Sequence, residues 1–405
     1  MGVRFRLCAM MFLQYAIWGA WNPVLSDYLS NVLGFSGTQV GIIYSLLPLA
    51  TIVAPFIGGQ VADRYFASQK VIAVLQLAGG GLLLLISSVS DYRTMMWLML
   101  FYCLLYAPTL ALTNSVAFIN LKDSEREFGI IRVWGTIGWI VAGLLLMGWR
   151  HAADSEPGLA LRGDTLLLAG IFSVVMGFQA FSLPHTPPKK DGTKPWAFLE
   201  AIKMMRDKNF LAFVIISFVV ATELMFYYVL TAPFLTSQKI GLSSASVPGV
   251  MAIAQVAEIL VLAILLPYFI SRIGIRNVLV LGVLAWPVRY IIFAIGQPSW
   301  LVIASLSLHG FCFVFFFAAA FIYVDTVAPR DIRHSAQSLI MLVTYGIGSY
   351  IGSLFAGWIW DLFTTESVTN WTHVFIVPCF LTVLCAVAFL LFVKNGRPVH
   401  TQEGA

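Results

Sequence analysis

HTPPKKDGTKPWAFLEAIKMMRDKN, residues 185–209, is the longest polar stretch of the chain and divides its 405 residues into halves of about equal length. Its Pro-Pro and Lys-Lys opening reads as a linker, and its second part as an interfacial helix. Six apolar runs precede it, at roughly 7–33, 38–61, 70–90, 94–119, 129–149 and 165–184. Six follow, at roughly 209–235, 247–271, 277–295, 300–327, 336–362 and 372–393. Each approaches or exceeds the about 20 apolar residues that a helix needs to cross hydrocarbon. The expected fold class is all-α and integral to a membrane, with 12 transmembrane helices in two pseudo-symmetric six-helix bundles. Residues 1–184 form the N-terminal bundle, 185–208 a cytoplasmic central loop, 209–393 the C-terminal bundle and 394–405 a cytoplasmic tail.

Composition agrees. Hydrophobic residues make up 60% of the chain and charged residues 11%, against about 25% charged in a soluble domain. Little chain remains to build a catalytic domain in water, so no enzyme is expected. The opening MGVRFRLCAMMFLQYAIWGAW has no small-residue cleavage site before the next apolar run, so it reads as a retained first span. Cys8, Cys103, Cys312, Cys379 and Cys385 lie in apolar segments without metal-ligand spacing and read as free thiols, with no metal or cofactor expected.

The net charge of +5 does not mark a nucleic-acid binder, because the basic residues sit in short loops between spans. With both termini in the cytoplasm, 18 of the 24 Lys and Arg fall on that face and four on the other. A bias of this size sets topology by the positive-inside rule and suits an even number of spans. The halves also echo each other. SVAFIN (115–120) matches AAAFIY (318–323), a register that pairs Tyr106 with His309. Two six-helix repeats around a central site are characteristic of transporters.

Ionisable groups at membrane depth are costly and by default mark a pathway. The candidates are Glu223 in span 7, Glu258 in span 8, Arg289 in span 9 and His309 in span 10, whereas Asp27, Asp325 and Asp361 lie near span ends within reach of water. Gln255 and Glu258 are three apart on one helix face in an otherwise apolar segment. Glu258 reads as a group that alternates between carrying a proton and bonding a polar substrate; the competing reading is an acid that merely stitches helices together. Glu223 is a second proton site or a partner for Arg289. His309, followed by a run of phenylalanines that includes Phe313, is either a satisfied core residue or part of a cavity wall. Arg132, Thr136 and Trp139 recur at i, i+4, i+7, placing a guanidinium, a hydroxyl and an indole on one stripe. Arg132 is alternatively an anchor that snorkels to the surface. Gln14, Trp18 and Trp21 form a similar stripe in span 1.

The loop GQVADRYFASQK (59–70) resembles the Gly-x-x-x-Asp-Arg signature of the major facilitator superfamily, which puts Asp63 and Arg64 in the gating positions. Four further stretches resemble the bacterial nucleoside/proton symporters of the nucleoside permease G type: FLQYAIWGAW (12–21), YAPTLALTNS (106–115), IRVWGTIGW (131–139) and QVAEILVLAILLPYFISRIGIRNVL (255–279). The resemblance runs over essentially the whole chain. It implies a nucleoside held between the halves and carried inward with a proton across the bacterial inner membrane by alternating access. The family's substrate-contacting positions fall on Arg132, Thr136, Trp139, Gln255, Glu258, His309 and Phe313, with Met225 and Tyr228 in span 7. Proton coupling falls to Glu258 and Glu223. The chain departs from the family pattern with Trp139 in place of Phe, with Met225 and Tyr228 in place of amides, and with Val314 in place of an acid. The implied partners are a nucleoside, a proton and the lipid bilayer, with no nucleic acid and a monomeric state. Alternatives are a proton-coupled sugar or polyol carrier and a transport-inactive nucleoside sensor on the same fold.

Overall fold

A computed structural model of the chain describes residues 2–121, 123–153, 163–187 and 198–394, apart from the side chains of 55–65 and 124–126. The first half holds α1 (Val3–Trp21), α2 (Gly37–Tyr65), α3 (Ser68–Ile86), α4 (Tyr92–Asn120), α5 (Ser124–Ala153) and α6 (Asp164–Ala180). After α7 (Lys208–Thr236), the run Val247–Ile295 is broken at Gly274, whose φ of 78° and ψ of 159° no helix accommodates. The break makes two spans, α8 (247–273) and α9 (275–295). Then come α10 (Ser299–Val327), α11 (Arg330–Leu362) and α12 (Trp371–Phe392), the last two joined by a small hairpin, β1 (Thr364–Thr365) with β2 (Val368–Thr369). Among the described residues nine runs are long and apolar enough to cross a membrane. Val247–Ile295 counts twice, and α1 and the shorter α6 complete the twelve.

The outer faces are apolar. On α12 the exposed large side chains include Ile376, Phe380, Val383, Leu384, Val387 and Leu391, a stripe at helical spacing. Such a surface is suited to lipid. The chain is a multi-pass membrane protein.

The first span is shorter than its apolar run suggests. α1 stops at Trp21, ahead of Pro23, and a short helical segment Leu25–Asp27 continues as a wide turn over Tyr28–Val32. Proline lacks an amide donor and crowds the preceding turn, so the helix ends there. Of the expected interfacial helix in the linker, the described residues form Phe198–Ala201 and a tighter turn Ile202–Arg206; Ala201 is buried, and Ser335 Oγ donates to Glu200 Oε2 at 3.3 Å. Asp91 caps α4. Its carboxylate accepts from the Thr94 amide and hydroxyl, both at 2.8 Å, and these bonds hold it below the usual carboxylate range.

The chain divides into two compact units, Met1–Thr193 with Tyr228–Ala252, and Lys194–Tyr227 with Ile253–Ala405. In unit 1, α1 packs on α5 through small residues. A Cβ on Gly138 would stand 2.9 Å from the Phe12 carbonyl carbon, and one on Gly19 2.7 Å from the Trp139 Cα. Close backbone approach of this kind is the usual basis of helix packing in lipid. A buried polar knot fastens four helices. Gln14 Nε2 donates to Thr109 Oγ1 at 2.9 Å, Gln76 Nε2 to Gln14 Oε1 at 3.0 Å, and Ser173 Oγ to Gln76 Oε1 at 2.7 Å. Tyr106 Oη joins it, donating to the Gln14 carbonyl at 2.6 Å. Gln14 and Tyr106 therefore serve packing. Trp21, from the same expected stripe, lies in the core against Tyr44 and Tyr102.

Two charged groups expected near water are buried at one end of unit 1. Asp27 accepts from Thr236 Oγ1 at 2.7 Å and Asn31 Nδ2 at 2.6 Å. Arg150, one of the four loop cations on the face opposite the termini, makes a two-pronged pair with Asp164 (Nε–Oδ2 2.7 Å, Nη2–Oδ1 2.8 Å) and donates from Nη1 to the Ser244 carbonyl at 3.0 Å. Chain neighbours reveal only Asn31, because Thr236, Asp164 and Ser244 come from other helices and the α7–α8 loop.

Candidate functional site

Unit 1 carries an aromatic wall with a cation at one end. The Arg132 guanidinium lies 3.9 Å above the Tyr15 ring centroid. Tyr15 and Trp18 are 6.4 Å apart, Trp18 meets Trp139 edge-on at 5.3 Å, and Trp139 meets Tyr228 at 6.4 Å. The stripe Arg132–Thr136–Trp139 is thus one face of α5 turned to α1. The approach of Gly19 and Gly138 lets the two helices come close enough for these rings to touch. The Arg132–Tyr15 contact is a cation–π pair, worth about 0.5–1 kcal/mol at an exposed site and more when desolvated. Of the span 1 stripe only Trp18 belongs to this wall. Tyr15, which no stripe singled out, supplies its other ring. Its place three residues before Trp18 was the available signal.

Unit 2 carries Gln255 and Glu258 on α8. Val256 and Leu260 are about half exposed and mark the outward face. At about 100° per residue, Glu258 points to the opposite side, and Gln255, nearly enclosed, lies beside it. α10 approaches α8 at this level, where a Cβ on Gly310 would stand 2.8 Å from the Ala257 carbonyl carbon and 3.0 Å from the Glu258 amide nitrogen. Just beyond, Phe313–Ala318 forms a widened, π-helical turn, an irregularity that often accompanies functional sites.

His309 is enclosed. Its ring stacks on Tyr227 (4.4 Å) and on Phe313 (5.7 Å), and its Nδ1 lies 3.2 Å from Arg289 Nη1. A guanidinium only donates, so Nδ1 accepts and the ring proton of a neutral imidazole sits on Nε2. His309 is held inside the packing of unit 2. Arg289 is itself fully enclosed, with Tyr227 and Trp286 each 4.5 Å from its central carbon. Glu223 is buried one turn before Tyr227 and makes no ion pair with Arg289: Oε1 accepts from Thr222 Oγ1 at 3.4 Å, and Oε2 has no hydrogen-bond partner. The expectation that Glu223 partners Arg289 is not met in this arrangement, because rings and a histidine occupy the guanidinium. Met225 is buried in the same unit. The repeat pairing of Tyr106 with His309 relates a residue of the polar knot to one of this cluster. Tyr227 went unnoticed in the sequence, although its place four residues after Glu223 put it on the same helix face.

Asp63 and Arg64 lie outside the described side chains. All five cysteines are free, and among the described residues no group of His, Cys, Asp and Glu is arranged to hold a metal ion.

Unit 1 thus offers rings and a cation, and unit 2, taken by itself, offers a carboxyl and an amide on one helix face. The profile of the nucleoside H+ symporter family matches residues 1–397. The chain belongs to that family. It is similar to the transporter YegT of Escherichia coli (strain K12), at 36% identity over 411 residues that cover 96% of this chain and 94% of the relative. The xanthosine permease of the same strain is 31% identical over 425 residues, covering 100% of this chain and 99% of the relative. A crystal structure of the nucleoside transporter NupG matches with a TM-score of 0.87 at 27% identity, covering 98% of this chain and 100% of that one. This nucleoside H+ symporter has the major facilitator fold, and it is a transporter and not an enzyme. Proton-coupled nucleoside uptake is the activity of the family.

Proposed function

We propose that this symporter carries nucleosides inward across the bacterial inner membrane, each with a proton, and that both termini face the cytoplasm. The observation that carries the reading is Glu258, an acid in an apolar span on the helix side opposite Val256 and Leu260, beside an enclosed amide. A charged carboxylate is costly there, and an acid that trades its proton for a substrate hydroxyl recovers that cost at every cycle. Gln255 and Glu258 accept from ribose hydroxyls, and bonds to the ionised acid are of the stronger kind. Trp139 or Phe313 stacks on the base, with Arg132, Thr136, Met225 and Tyr228 completing the contacts. His309 acts through Tyr227 and Phe313. Asp63 and Arg64 serve in gating. The charge bias of the loops supports the orientation, and the division into bundles at 1–184 and 209–393 follows from the position of the polar linker.

The test is uptake of labelled uridine and adenosine into cells that lack their own nucleoside transporters. Accumulation is expected to rise as external pH falls, to collapse with a protonophore, and to resist competition by free sugars. Uptake indifferent to both pH and protonophore would overturn the coupling.

Trp139→Ala is expected to weaken nucleoside binding by about 1–3 kcal/mol, the usual worth of a base–aromatic stack. Trp139→Phe should keep most of the affinity. Binding to the purified protein by calorimetry reads both. Unchanged affinity in Trp139→Ala removes Trp139 from the substrate contacts.

A further inference from the structure

Unit 2 buries a cation and an acid that do not touch. Arg289 Nε and Nη2 have no hydrogen-bond partner, nor has Glu223 Oε2, and both residues are fully enclosed. Buried donors and acceptors left without partners are costly, and these three atoms point to a second arrangement in which they meet. The geometry supplies it. The Arg289 guanidinium lies over Tyr227, which stands four residues after Glu223 on α7. Four residues of helix rise about 6 Å, within the swing of an arginine side chain. Tyr290, the next residue after Arg289, already bonds the Glu223 carbonyl through its hydroxyl.

We propose that Glu223 and Arg289 form a proton-dependent switch. With a proton on Glu223 the guanidinium is held by His309 and the Tyr227 ring, as seen here. When Glu223 releases its proton to water, the carboxylate draws the guanidinium one turn along α7, and the bond to His309 Nδ1 breaks. The released imidazole loosens Tyr227 and Phe313, which it holds by stacking. Tyr227 is also within electrostatic reach of Glu258, so the switch acts on a ring of unit 2 near the substrate acid. The two readings of Glu223, proton site and partner of Arg289, become two states of one device. The other titratable groups facing the pair are Tyr290 on α9, Cys312 on α10, and Cys379 and Cys385 on α12. None is a charged competitor of Glu223 for the guanidinium. The inference rests on the reading of the chain as a proton-coupled carrier, and it adds a second proton-bearing group with a named counter-ion.

Infrared difference spectroscopy of the protein in proteoliposomes, titrated with base, tests it. Wild type is expected to lose a protonated-carboxyl band that Glu223→Gln lacks. In Arg289→Gln the band should survive to a proton concentration at least tenfold lower, and Arg289→Lys should restore most of the wild-type titration. Exchange of internal for external labelled nucleoside reports that each variant is folded. A band unaffected by Glu223→Gln, or a titration unmoved by Arg289→Gln in a protein that still exchanges, overturns the switch. Wild-type uptake that ignores an imposed pH gradient refutes the parent reading instead, whatever the band does.

Discussion

Glu258→Gln is expected to abolish accumulation of nucleoside against its gradient while leaving exchange across the membrane in place. Glutamine keeps the size of the side chain and one acceptor oxygen, so the ribose contact is weakened and not erased. What it cannot do is carry a proton. A 100 mV driving force on one charge is worth about 2.3 kcal/mol, which corresponds to a roughly fifty-fold concentration ratio at about 1.4 kcal/mol per tenfold. The variant should therefore equilibrate near a ratio of one where wild type concentrates by more than an order of magnitude. Proteoliposomes with an imposed pH gradient read the first quantity, and exchange of labelled for unlabelled nucleoside reads the second. A variant that still concentrates its substrate shows that the coupling proton travels elsewhere. Glu223 would then be the next acid to replace.

The second large effect concerns folding. Removing one partner of the Arg150–Asp164 pair, as in Arg150→Met or Asp164→Asn, should destabilise the protein by about 3–5 kcal/mol, because the other charge stays buried alone. Arg150 also holds the Ser244 carbonyl, so its loss frees the α7–α8 loop from the end of α5. Arg150→Met combined with Asp164→Leu should be milder than either single change, since no charge is then stranded. Thermal unfolding in detergent measures all three. Equal midpoints for the single variants and wild type would show that water reaches the pair and that it contributes nothing.

Both predictions concern charged groups in an apolar chain, and they differ in how visible those groups were beforehand. Glu258 stood out because an acid amid a dozen aliphatic residues has no bland neighbour to explain it. Arg150 did not, because a cation just after an apolar run looks like an ordinary loop residue until its partner, 14 positions on, folds back. The same holds for Asp27, whose partner Thr236 lies 209 positions away. Gln14 and Trp21 carried a helical spacing that fitted a substrate stripe and was satisfied instead by neighbouring helices.

The sequence by itself determined the twelve spans, most of their ends and the class of the protein, because crossing a membrane demands local properties: length, apolarity and few charges. It also marked Glu258, Arg132 and Trp139, whose chemistry is conspicuous in oil. Only the tertiary structure decided which polar residues are glue, that Tyr15 and Tyr227 carry the two cations, and that His309 is bound to Arg289 while Glu223 is not. Those outcomes depend on which helix faces meet, and a polar group in lipid takes whatever partner the neighbouring helix brings.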